Sequence, residues 1–170
     1  MRQIRRNVFE TNSSSTHSIC ISKAPVTIGN FIRFTIGEYG WETRCVIDTP
    51  SYLYTAIHSQ GDSEELLERL KDILDSYHIK YEFEEWTRES YGYIDHGYDT
   101  REFIDAVLND EEMLMRYLFG GSCIYTGNDN SCDHDHMCYA AYDTIWDDDY
   151  KKIPNPNHDE TKYNYFFKGN

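Results

Sequence analysis

Proline is scarce in this chain, 4 among 170 residues, and no long Gly/Ser tract, heptad run or repeat of 20–50 residues breaks it up. Nothing therefore marks an internal boundary, and a single domain over residues 1–170 is expected. No apolar stretch nears the roughly 20 residues that cross a bilayer, and residues 1–12 lack the apolar core, about 7–15 residues long, of a secretory signal. A cytoplasmic location is the expectation. Basic residues are also few: 16 Lys and Arg against 30 Asp and Glu leave a formal charge of −14. Phosphate backbones and anionic membrane surfaces would repel such a chain, which excludes nucleic-acid binding through bulk charge. A partner with a basic channel would be attracted. The five cysteines are an odd number that fits a complete disulfide framework poorly, so thiols or metal ligands are expected. Asn12-Ser13-Ser14 matches a glycosylation sequon, which carries little weight without a secretory signal.

What is present suffices for a core: 39% of residues are hydrophobic and 15% aromatic, enough for one ordinary domain. Early segments alternate with the period of strands, at residues 5–9, 18–22 and 31–36, where Phe31, Arg33 and Thr35 oppose Ile32, Phe34 and Ile36. Thr49-Pro50 reads as a cap with proline in the first turn, leading into Tyr52, Leu53, Ala56 and Ile57. Asp62 with Glu65 opens a second helix, whose stripe is Leu66, Leu67, Leu70, Ile73, Leu74 and Tyr77. Residues 79–86 alternate as a strand with one acidic face, and 91–94 form a short strand. Helices follow at 100–108 and 110–119, the second stopped by Gly120-Gly121. Residues 151–158 are turn-rich and 163–167 return as an edge strand. The expected fold class is α+β, mainly antiparallel sheet with about four helices.

The densest set of ligand-type residues is Cys132, His134, His136 and Cys138, sulfur and imidazole at alternate positions, the ligand types of Zn2+. Fully extended, the segment would hold the two cysteines about 20 Å apart, too far for one tetrahedral site, so it turns sharply or its ligands divide between ions. Cys123 joins them if residues 126–131 fold back, and Cys45 is a further candidate. The alternative is an acidic solvated loop with buried thiols. A second constellation runs from Glu10 through Ser13, Ser14 and Ser15 to His17, where hydroxyls beside an imidazole suit either a nucleophile with its base or an ordinary turn. His96 follows Asp95 and would meet His17 across a sheet as a metal or acid/base pair, or bond to backbone as a structural histidine. The acidic runs Glu82, Glu84, Glu85 and Asp147, Asp148, Asp149, interleaved with tyrosines, confer solubility and also suit an arginine-rich partner.

Residues 5–18 (Arg5-Arg6-Asn7-Val8-Phe9-Glu10-Thr11-Asn12-Ser13-Ser14-Ser15-Thr16-His17-Ser18), together with segments at 37–42, 52–56, 93–97 and 126–130, resemble a widespread group of small proteins from phages and mobile elements of low-GC Gram-positive bacteria. Within that group, the size, acidity and Cys/His content are similar to those of metal-containing type II-A anti-CRISPR proteins. The resemblance implies a non-enzymatic, zinc-containing inhibitor that binds the type II CRISPR effector nuclease of a bacterial host and blocks target-DNA loading or activation. Two rivals stand beside it: a metal-dependent hydrolase or transferase using Glu10, His17 and His96, and a structural accessory protein without metal.

Overall fold

The computed structural model describes residues 15–40, 42–87, 90, 92–128, 140–142, 144–146 and 149–168. Strand β1 (Ser15–Ser22) is the central element, because its alternation is double-sided. His17, Ile19 and Ile21 point to one face and Ser18, Cys20 and Ser22 to the other, and all six are buried. β2 (Phe31–Phe34), β3 (Glu38–Tyr39) and β4 (Arg44–Val46) follow. Then come α1 (Thr49–His58), α2 (Ser63–Ser76), β5 (Lys80–Phe83) and β6 (Tyr93–Ile94). A 3-10 turn (Gly97–Thr100) leads into α3 (Arg101–Asn109) and α4 (Glu111–Phe119). The chain continues through β7 (Cys123–Asn128), β8 (Thr144–Trp146), β9 (Lys152–Pro154) and β10 (Tyr163–Lys168).

The fold is α+β. A four-stranded antiparallel sheet in the order β10-β1-β7-β4 packs one face on the helices. α1 is buried on nearly all sides, from Thr49 to Ile57, and the core runs continuously from Ile19 and Ile21 through Tyr52, Leu53 and Leu70 to Phe103, Tyr117 and Ile124. Two small pairs depart from the expected antiparallel pattern: β2 with β5 and β3 with β6 run parallel. Their partners lie about fifty residues apart in the chain, joined by α1 and α2, and such a crossover permits parallel pairing where a hairpin would not. No helix among the described residues is long and apolar enough to cross a membrane.

Several local expectations shift. The 18–22 strand begins three residues earlier, and 31–36 shortens to Phe31–Phe34 with the expected exposed and buried alternation. Asp48, not Thr49, caps α1, accepting from the Ser51 amide at 3.3 Å and its hydroxyl at 2.8 Å. Thr49 instead donates to the Tyr117 carbonyl at 2.9 Å while the Tyr117 hydroxyl donates to the Thr49 carbonyl at 2.9 Å. Asp62 precedes α2 without a capping bond, because Arg101 holds both carboxylate oxygens at 2.8 Å. Residues 151–158 include β9, paired with β8. The expected strand at 5–9 lies outside the described residues.

Candidate functional site

At one end of β1 the inner face of the sheet turns polar. Register sets His17 between Lys168 on β10 and Thr126 on β7, and all three side chains are buried. Lys168 Nζ donates to the Ser15 carbonyl at 2.8 Å and to the Ser15 hydroxyl at 2.5 Å. The Ser15 amide donates to Asp95 Oδ2 at 3.0 Å. Asp95 is positioned in turn by its own amide, which donates to the Tyr39 carbonyl at 3.0 Å. Thr126 Oγ1 donates to the Glu42 carbonyl at 2.5 Å. Serine, lysine and aspartate thus tie the edge strand, the central strand and the β3–β6 pair together.

His17 sits within this cluster with both ring nitrogens engaged. Nε2 faces the Gly40 carbonyl at 3.4 Å, an acceptor, so it carries the proton; Nδ1 accepts from the Tyr52 hydroxyl at 2.8 Å. Burial first, and the Lys168 charge second, hold its pKa down to about 3, against the smaller opposing effects of the Gly40 carbonyl and Asp95. At neutral pH the ring is uncharged and its one lone pair is engaged by the Tyr52 hydroxyl. Ser15 is not poised as a nucleophile: with Nζ donating to both of its oxygens, its hydroxyl accepts from the lysine rather than yielding a proton to it. The cluster ties β1, β10 and the turn after β6 together.

His96 does not join His17. It lies in the left-handed region at φ 51, and its Nδ1 pairs with the Tyr98 hydroxyl at 2.9 Å. The adjacent Asp95 does approach it, Oδ1 standing 3.8 Å from Nε2, since the turn breaks the strand geometry that would have sent the two side chains apart. Asp95 thus reaches His96 on one side and the Ser15 amide on the other, and the two histidines share no bond.

Cys45 and Cys123 do come together, on the opposite face of the sheet from His17. Cys123 lies directly across from Cys20, and Cys45 across from Tyr125. All three cysteines are unbridged. The sheet separates these thiols from His17, so the described ligand candidates fall on two faces. Among the described residues no group of three or more His, Cys, Asp or Glu side chains is placed to hold a metal ion. Cys132, His134, His136 and Cys138 lie outside the described residues, as do Asp147 and Asp148.

The described acidic candidates are exposed, but cations are interspersed among them. Glu82 faces Arg33 across the β2–β5 pair, with Lys80 on the same side of its strand. Glu84 Oε2 accepts from the Ile36 amide at 3.0 Å, Glu85 is exposed, and Asp149 pairs with Lys151 at 3.8 Å. A more uniform surface lies on α2, where Glu64, Glu65, Glu68, Asp72 and Asp75 are all exposed and Lys71 pairs with Glu68 at 2.6 Å. The stripe that buries Leu66, Leu70, Ile73 and Leu74 already implies this opposite face. Lys168 and Tyr52 gave no comparable signal, because a lone lysine ending an aromatic strand reads as a solvated terminus. Comparison with protein-family models, curated proteins and solved structures finds no match for this chain.

Proposed function

We propose that this protein is an acidic binding module that acts by docking on a basic, arginine-bearing protein surface. The observation that carries the proposal is the outer face of α2, five exposed carboxylates with Lys71 paired to Glu68 among them and Arg69 turned aside to the Leu108 carbonyl and the Asn109 side chain, on a chain of formal charge −14. Helix geometry places residues 64, 68, 72 and 75 on one side over about three turns, so their fields add toward an incoming cation. Such a surface raises the encounter rate and selects against acidic competitors more than it sets final affinity.

The partner implied by the N-terminal resemblance is the type II CRISPR effector nuclease, whose guide and target pass through positively charged channels. An acidic module seated there would exclude target DNA or block activation. Zinc enters this proposal only as a structural ion on residues 132–138, which would order a segment short of apolar residues. The hydrolase reading gains no support from His17, whose ring is occupied on both sides.

The test is a pull-down of the full chain against purified type II effector, with and without guide, from low to raised salt. Retention that weakens as screening increases is expected, together with an association rate at least about tenfold lower for the fourfold variant Glu64→Lys, Glu65→Lys, Asp72→Lys, Asp75→Lys. No retention at any ionic strength, or retention unchanged in that variant, would overturn the docking proposal. Elemental analysis of untagged protein purified without added zinc tests the ion separately.

A further inference from the structure

Three of the five cysteines lie on the outer face of the four-stranded sheet, on three different strands. Their geometry is not equivalent. Cys20 and Cys123 are directly opposed in the antiparallel β1–β7 pair, where Cα atoms stand about 4.5–5.5 Å apart. That spacing falls within the range of about 4.4–6.8 Å that a disulfide spans. Cys45, opposite Tyr125, is only a diagonal neighbour of Cys123, at about 7–8 Å, beyond that range without backbone movement. Register alone therefore singles out one bridgeable pair.

The surroundings divide the pair into unequal members. The neighbouring Cys20 first, then Tyr125 and Cys45, hold the Cys123 thiol below the ordinary range against the effect of its burial. Cys20 is pushed up, by its contact with Cys123 and by burial, and its own S–H reaches the Ser18 carbonyl at 3.6 Å. Cys123 is 8% exposed against 1% for Cys20, so of the opposed pair Cys123 is the one that a small oxidant reaches first. A stabilised thiolate within reach of a second thiol is the arrangement that reacts with peroxides and then resolves to a disulfide.

We propose that Cys123 is an oxidant-reactive thiol and Cys20 its resolving partner, so that hydrogen peroxide closes a Cys20–Cys123 disulfide between β1 and β7. In the first step the Cys123 thiolate attacks one peroxide oxygen. The O–O bond breaks, hydroxide departs and takes up the proton that Cys123 gave up, and Cys123 is left as a sulfenic acid. In the second, the Cys20 sulfur attacks the Cys123 sulfur, the S–O bond breaks, and the leaving hydroxide removes the Cys20 proton as water. Two thiols and one peroxide become one disulfide and two waters, two electrons passing from sulfur to oxygen.

The experiment uses the full chain, fully reduced, exposed to hydrogen peroxide, then blocked with N-ethylmaleimide and digested without reduction by trypsin and an Asp-specific protease. Cleavage before Asp129 separates Cys123 from Cys132 and Cys138. The expected product is a linked pair of peptides carrying Cys20 and Cys123, with maleimide-labelled Cys20 reduced at least tenfold, and the same link in Cys45→Ser. In Cys20→Ser, Cys123 is expected to accumulate as a sulfenic acid trapped by dimedone. Cys20 still labelled after oxidation in the unsubstituted protein, or Cys123 linked instead to Cys45, Cys132 or Cys138, would overturn the proposal, and that readout does not depend on any variant folding.

Discussion

Lowering the pH from 7 to 5 should cost this fold about 2 kcal/mol through His17 alone. Its imidazole is held neutral down to about pH 3 by burial and by the Lys168 charge, with Arg44 adding to the same side and the Gly40 carbonyl and Asp95 opposing, whereas in the unfolded chain it titrates near pH 6.5. Between those values the unfolded state binds a proton that the folded state refuses, so stability falls as pH falls through the window. The loss is about 1.4 kcal/mol per pH unit below 6.5. At pH 5 the carboxylates are still largely ionised, which keeps their titration out of the comparison. His58, lowered by burial as well, adds in the same direction. Urea unfolding at pH 7 and pH 5, on the unsubstituted protein and on His17→Gln, isolates the His17 share. The variant should lose about 2 kcal/mol less between the two pH values, equivalent to about 4–8 °C in Tm for a chain of this size. Equal losses in both proteins, or an NMR titration placing the His17 ring near pH 6.5 in the folded state, would refute the reasoning.

Three further outcomes are expected. Tyr117→Phe removes the 2.9 Å hydrogen bond to the Thr49 carbonyl and should cost about 0.5–1.5 kcal/mol in urea unfolding. Asp48→Ala removes the cap of α1 and should cost about 0.5–2 kcal/mol by the same measurement. At Gly97 an added Cβ would stand 2.4 Å from Ser59 Oγ and 2.6 Å from Ser59 Cβ, whereas at Gly61 it would meet nothing within 4 Å; Gly97→Ala should therefore cost about 1–3 kcal/mol while Gly61→Ala leaves Tm unchanged or slightly raised.

The elements that could be read from the chain are those with a strong local period. The stripe Leu66, Leu70, Ile73 and Leu74 is buried on α2 as the spacing requires, Phe31–Phe34 alternates exposed and buried residues, and α4 ends at Gly120. Capping was less legible, because Asp48 and Asp62 look alike in sequence. Only the first bonds to its helix, while the second is claimed by Arg101, a partner 39 residues away. The acidic face of α2 is implicit in its stripe, but the runs at Glu82 and Asp147 are denser in composition, which says nothing of placement.

By itself the sequence determined the charge, the α+β class, the four helices and the strands with a clear two-residue period, but not β3, β7, β8 or β9, since what could be read follows from residue types within a turn or two of one another. Strand order and register came only with the tertiary structure: they bring Cys20 opposite Cys123 and Lys168 beside Ser15, pairs 103 and 153 residues apart. Local periodicity says which way a side chain points but not which distant strand lies alongside it. That choice is made by closure of the core as a whole, and with it the separation of the thiols on one face of the sheet from His17 on the other.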